Sequence, residues 1–129
     1  MSEIIAATPG RDLVGYLTHY PQQITFGDED PEVVMDRYHT AGFEMINDGL
    51  KLDRERLIAH VRSGRKRTVS VEVEVHDAVT SDTHVAARYT LTATMRRGAV
   101  IATEIYMFGQ LATDGRLRHV TQVTRSLPG

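Results

Sequence analysis

From Thr68 onward valine recurs at every second position, Val69, Val71, Val73 and Val75 alternating with Ser70, Glu72, Glu74 and His76. Only an extended strand keeps a period of two on one face. Turn signals at Ser81-Asp82, Arg97-Gly98 and Thr113-Asp114-Gly115 divide the rest of the chain into strands short enough to be joined as hairpins. Ahead of Thr68 the apolar spacing is helical. Helices first and an antiparallel meander after predict an α+β domain, with the helices laid on one face of the sheet.

The spacing predicts three helices. Thr8-Pro9 reads as the cap and first turn of one that carries Leu13, Tyr16, Leu17 and Tyr20 inward and stops near Pro21. Asp28-Glu29-Asp30-Pro31 opens a second, with Val34, Met35 and Tyr38 as its apolar stripe. At a helix start, that acidic run reads as a cap rather than a cation site. Phe43 to Ile46 forms a short strand before the turn Asn47-Asp48-Gly49, and a third helix runs from Asp53 to Gly64 with Leu57, Ile58 and Val61 inward. Arg62, Arg65, Lys66 and Arg67 crowd the end of the third helix, where cations complement the negative end of the dipole. A phosphate-binding patch is the sharper alternative. No aromatic residue interleaves with these cations to stack the bases of a single strand.

The 129 residues suffice for one domain with room for a small-molecule cavity. Fifteen Lys and Arg against 17 Asp and Glu leave a formal charge of −2, so no overall field favours nucleic acid or an anionic membrane. The absence of cysteine excludes disulfides, thiolate nucleophiles and thiolate-bound metals. His60, His76, His84 and His119 fall at no metal-ligating spacing, and phosphate loops and nucleophile elbows are missing, so neither metal nor organic cofactor is expected. Met1 to Ile5 has neither a basic flank nor a long apolar run, and a cytoplasmic location is the expectation.

Turn length sets the expected register. If Arg97-Gly98 is a two-residue loop, Tyr89 lies opposite Tyr106, Arg88 opposite Met107 and Thr90 opposite Ile105. If residues 112–115 form the next loop, Met107 faces Val120 and Ile105 faces Gln122. One face then carries Arg88, Thr90, Ile105, Met107, Gln122 and Thr124, and the other Tyr89, Leu91, Glu104, Tyr106 and Phe108. One face is to be covered by the helices and the other by a second subunit. The valines of the first long strand fit against the helices equally well, which leaves the choice of face open.

This order of elements, with the segments Tyr38 to Glu44, Asp53 to His60, Val85 to Thr90 and Phe108 to Arg116, resembles the nuclear transport factor 2-like superfamily and its SnoaL-like branch in particular. The resemblance implies a cone: three helices packed on a curved antiparallel sheet, enclosing a pocket. It also implies cofactor-free acid/base chemistry there, on a scaffold that hosts isomerases, cyclases, dehydratases, epoxide hydrolases and non-enzymes. Carried over by position, the ketosteroid isomerase base falls on Asn47, beside Asp48. The buried acid of those enzymes and the polyketide cyclase aspartate both fall on Met107, a thioether that shuttles no proton. The epoxide hydrolase pattern would place its arginine on Arg88 but meets Thr90 and Met107 where aspartates belong.

The remaining acid/base candidates are His39, at the end of the second helix, and Asp48. The plainer readings are that His39 meets its own last helical carbonyls and that Asp48 forms the turn. Arg88, Asn47 and Gln122 are candidates to steady charge on a ligand oxygen, though Arg88 is as readily paired with Glu72, Glu74 or Glu104. Tyr16, Tyr20, Tyr38, Thr90, Ile105, Met107 and Thr124 complete the expected lining. The ligand the resemblance implies is a small, largely apolar, carbonyl-bearing compound, polyketide- or terpenoid-like, of bacterial secondary metabolism. The expected activity is that of an isomerase, cyclase or dehydratase acting as a homodimer. The alternative is a binding or dimerisation module that has lost the family's carboxylates.

Overall fold

The computed structural model describes residues 8–128, so Met1 to Ile5 lie outside the described residues. Three helices and six strands follow in the order α1 (Leu13–Phe26), α2 (Pro31–Tyr38), β1 (His39–Asn47), β2 (Leu50–Asp53), α3 (Arg54–Arg67), β3 (Thr68–Thr80), β4 (His84–Met95), β5 (Val100–Leu111) and β6 (Leu117–Ser126). The strands form an open sheet in the order β2-β1-β6-β5-β4-β3. β3 to β6 are the antiparallel meander, but β1 pairs with β6 in parallel, so the sheet is mixed rather than wholly antiparallel. Among the described residues, no helix is long and apolar enough to cross a membrane.

Local chemistry explains the helix starts. Asp30 accepts from Glu32 N at 2.9 Å with Pro31 in the first turn, and Asp53 accepts from Arg56 N at 2.9 Å, each side chain satisfying an orphan donor. The first helix differs from expectation at both ends. Its cap is Asp12, bonded to Gly15 N at 2.8 Å, and it runs through Pro21 to Phe26. Pro21 gives up one intrahelical bond, and burial of Ile24 beyond it holds the last turn in place. α3 likewise passes Gly64 and ends where Thr68 N returns to Gly64 O as β3 begins.

The core lies between the helices and one face of the sheet. Leu13, Tyr16, Leu17 and Ile24 of α1 and Val34 and Tyr38 of α2 pack with Phe43, Val85, Ala87, Ile105, Met107, Leu117 and Val120. Two three-residue loops decide which strand residues join them. Gly98 N bonds Met95 O at 2.8 Å and Met95 N bonds Ala99 O at 2.8 Å, so the β4–β5 loop is Arg96-Arg97-Gly98 with Gly98 at φ 94°. Arg88 therefore pairs with Tyr106, Tyr89 with Ile105 and Thr90 with Glu104, one residue away from the expected register. A one-residue slip turns every β4 side chain over. Arg88 and Thr90 lie on the outer face, while Tyr89 and Leu91 face the helices.

The β5–β6 loop is Thr113-Asp114-Gly115, with Gly115 N on Ala112 O at 3.0 Å, and a further irregularity follows between Gln110 and Leu111. Met107 then pairs with Gln122 and Ile105 with Thr124. That shift is by two residues and leaves the faces as expected. Of the β3 valines, Val71 and Val75 turn toward the helices, and Val69 is exposed where β3 changes register.

Gly109 sits on buried β5, where a Cβ would come within 2.7 Å of Leu117 Cδ2 and 2.9 Å of Val85 Cγ2. Gly109→Ala is expected to cost roughly 1–3 kcal/mol by overpacking. Urea unfolding measures it, and an unchanged midpoint would contradict the tight approach of β4, β5 and β6 here.

Candidate functional site

A hollow of about 380 Å³ lies between α1 and the sheet. Its apolar wall comes from Leu17, Pro21 and Ile24 on one side and Met45, Val71, Leu91, Ala93, Ile105, Met107 and Val120 on the other. Tyr16, Tyr20, Thr25, Thr68, Tyr89 and Gln122 supply the polar atoms. No lining side chain carries a formal charge. A larger surface cleft of about 690 Å³, lined by Thr8, Gly10, Arg11, Ser81, Asp82 and residues 111–115, collects none of the candidate site residues.

The tyrosines divide by what their hydroxyls do. Tyr16 donates to His39 Nε2 at 2.7 Å, Tyr38 to Gln23 Oε1 at 2.7 Å and Tyr106 to Glu104 Oε1 at 2.7 Å. Among the described residues, the hydroxyls of Tyr20 and Tyr89 have no protein partner, and both side chains line the hollow. Burial raises all three lining phenols above their ordinary value, Tyr89 to about 12. They are neutral donors at neutral pH. Tyr20 stacks on Tyr16 with ring centres 5.4 Å apart and meets His39 edge-on at 4.9 Å, which fixes the aromatic wall.

His39 lies behind that wall, 2 % exposed at the junction of α2 and β1. Its Nδ1 is 2.9 Å from Met35 O, a group that can only accept. Nδ1 therefore carries the proton, and Nε2 accepts from Tyr16. Burial pushes its pKa down to about 4. Both ring nitrogens are thus spent on the protein, and Arg116 fastens the same junction through Asp36 O at 3.0 Å and His39 O at 3.3 Å.

The remaining candidates separate. Ile105, Met107 and Gln122 line the hollow with Tyr16 and Tyr20, whereas Tyr38 is 1 % exposed and packs behind Tyr16. Asn47 reaches the site indirectly, its Oδ1 accepting from Gln122 Nε2 at 2.9 Å and so aiming the amide. Asp48 is exposed at the β1–β2 turn. Asp48 and Gly49 both have positive φ, 50° and 83°, as a two-residue hairpin requires. Its carboxylate accepts from Thr124 N at 2.8 Å and from the Thr124 hydroxyl, bonds that lower its pKa and tie the turn to β6.

Arg88 and Thr90 are on the opposite side of the sheet, contrary to the expectation that they face the ligand. Arg88 bonds Asp77 at 2.9 Å and Glu104 at 3.2 Å, and Thr90 bonds His76 Nε2 at 2.7 Å. Glu104 is 6 % exposed beneath its partners. Bonds from Tyr106, then Arg125 and Arg88, hold its carboxyl down at about 2. Tyr89, Met45, Leu91 and Thr68 are lining residues that sequence reasoning missed. For Tyr89 the signal lay in Gly98: a two-residue loop would ask Arg97 for a positive φ, whereas a three-residue loop needs it only at the glycine.

No protein-family model matches the sequence, and no curated protein matches it by sequence. Solved structures do match. An NTF2-like protein of unknown function from Exiguobacterium sp. superposes with a TM-score of 0.70 at 11% identity, over 87% of this chain and 97% of that one. IdmH from Streptomyces antibioticus, proposed to be a polyketide cyclase, gives 0.66 at 14% over 90% and 91%. A protein from Jannaschia sp., proposed to be a SnoaL-like polyketide cyclase, gives 0.65 at 18% over 96% and 90%. The chain has the nuclear transport factor 2-like fold.

Because the folded pKa of His39 is about 4 against an ordinary 6.5, the unfolded chain takes up a proton that the folded one does not between those values. Stability tied to this group is therefore full above pH 6.5 and falls as the pH drops toward 4, by on the order of 3 kcal/mol over that interval. His39→Gln is expected to flatten that part of the stability profile. NMR titration of the imidazole gives the direct check, and a midpoint near 6.5 would contradict the buried, neutral ring.

Proposed function

We propose that the protein binds a small, largely apolar compound bearing a carbonyl group, of polyketide- or terpenoid-like character, with its apolar body in the hollow between α1 and the sheet. The observation that carries this reading is the pairing of wholly uncharged walls with two unspent phenols, Tyr20 and Tyr89. A charged group inside the hollow would be desolvated without a counter-charge, whereas a carbonyl oxygen would find two phenol donors on a largely apolar surface. Gln122 adds an amide aimed by Asn47. The volume of about 380 Å³ lies within the usual range of roughly 300–1,000 Å³ for ligand pockets.

Binding without turnover is the reading the geometry favours, since no carboxylate or imidazole lines the hollow. One contact supports the enzymatic alternative, a cofactor-free isomerase, cyclase or dehydratase. Tyr16 lines the hollow and donates to His39, which would place His39 one hydrogen bond away from a ligand proton. Asp48, exposed and bonded to Thr124, has no contact with the hollow through which to join that path.

2-Tetralone, a neutral ketone with exchangeable α-protons, separates these readings in D2O. Saturable displacement of the fluorescent probe N-phenyl-1-naphthylamine, with α-proton exchange no faster than in buffer, is the expected result. Tyr89→Phe should weaken the ketone by about 1 kcal/mol, the worth of one hydrogen bond, and leave the amine probe unaffected. Exchange accelerated by the protein and abolished in Tyr16→Phe and His39→Gln would establish catalysis instead. Failure of either compound to bind would end the binding proposal.

We further propose that two copies pair through the outer sheet face, where Phe108, Tyr106 and Val123 are 52 %, 42 % and 54 % exposed. Phe108→Glu is expected to halve the mass measured by light scattering. A wild-type protein that already runs as a monomer would overturn the pairing.

A further inference from the structure

Cations from two elements meet at one end of the hollow. Arg96 N donates to Arg67 O at 2.8 Å and Arg96 Nε to Lys66 O at 2.7 Å, fastening the β4–β5 loop to the end of α3 and bringing Arg97 beside them. Among the described residues, no carboxylate lies within 4.0 Å of Arg65, Lys66, Arg67, Arg96 or Arg97. Arg65 adds a second, independent observation. Its Nε donates to Ile24 O at 2.7 Å, while its Nη2 is buried with no hydrogen-bond partner.

The position of this cluster relative to the hollow gives it meaning. Ile24 and Thr25 in the last turn of α1, Thr68 at the start of β3 and Ala93 near the end of β4 all line the hollow, and Thr68 directly follows Arg67. Complementing helix dipoles accounts for the bonds of Arg65 and Arg96 to backbone carbonyls. It leaves the side chains of Arg67 and Arg97 and the second nitrogen of Arg65 without a function. A buried guanidinium N–H lacking an acceptor is a costly arrangement that a bound anion would relieve.

We propose that this end is a subsite for an anionic head group, carboxylate or phosphate, on the ligand whose apolar body fills the hollow. The inference rests on the hollow being the binding site and narrows its ligand to an acidic amphiphile. The walls hold no charge to pair with an anion, so the body lies inside and the head emerges at the rim, where the charges of Arg65, Arg67 and Arg97 converge. Arg67 and Arg97 strengthen the local field without needing direct contact.

The experiment uses the full chain loaded with N-phenyl-1-naphthylamine and three competitors of one chain length: decanoate, decyl phosphate and 1-decanol. Both anions are expected to displace the probe at roughly five- to tenfold lower concentration than the alcohol at low salt. That advantage should disappear in Arg65→Gln and shrink in Arg67→Gln/Arg97→Gln, with 1-decanol unchanged in both. The double variant breaks no side-chain bond and decides the matter if Arg65→Gln fails to fold. Equal displacement by all three compounds, or an anion advantage that persists in the variants, overturns the subsite while leaving the hollow as the binding site. No displacement by any of them points instead to failure of the binding proposal itself.

Discussion

The parity of the β4–β5 hairpin decides what the rest of the molecule can be. With the loop closed over Arg96, Arg97 and Gly98, β4 presents Val85, Ala87, Tyr89 and Leu91 to the helices and Arg88 to the outside. The opposite parity would put Arg88 against the apolar floor and Tyr89 and Leu91 in water. Each large apolar side chain so exposed forfeits about 1.5–3 kcal/mol, and a guanidinium taken from Asp77 and Glu104 would be desolvated without compensation. Loop chemistry and core packing thus select the same register. Agreement between local and global preference is what leaves a single stable arrangement.

That arrangement divides polar chemistry cleanly between the faces of one sheet. Outside, charges pair with charges: Glu104 sits under Arg88, Arg125 and Tyr106, and its carboxyl is held ionised. Inside, every polar group is neutral and most are committed. Tyr16 is tied to His39 and His39 to Met35, a chain that joins α1 to the α2–β1 junction and leaves the imidazole uncharged. The same burial that makes His39 a poor proton acceptor makes it a sound structural partner. Of the phenols that line the hollow, Tyr20 and Tyr89 are the ones without a protein partner among the described residues, and so the hollow's chemistry is that of neutral hydrogen-bonding groups rather than of an acid and a base.

What the sequence disclosed depended on how local the determining chemistry is. The caps at Asp30 and Asp53 are legible because a carboxylate two or three residues ahead of its N–H partner is a contact within one turn. The end of α1 was not, since the packing of Ile24 against distant strands overrides the break that Pro21 signals. The two loops make the sharpest contrast. An error of two residues between β5 and β6 left Ile105, Met107 and Gln122 on the correct face, while an error of one between β4 and β5 exchanged Arg88 and Thr90 for Tyr89 and Leu91. Side-chain direction has a period of two, so the consequence depends on whether the error is odd or even, and not on its size.

The parallel pairing of β1 with β6 was the least legible feature, and it shapes the site as much as the hairpins do. Residues about 75 positions apart become neighbours: Asn47 meets Gln122 and Asp48 meets Thr124. No turn encodes that pairing, and nothing within β1 itself distinguishes a strand that will join β6 from one that will join β3. Its effect is to convert the Asn47-Asp48-Gly49 turn from a candidate source of chemistry into a fastening. One residue aims the Gln122 amide toward the ligand and the next anchors the strand carrying it, so a carboxylate whose type and position suggest a base instead holds a binding group in place.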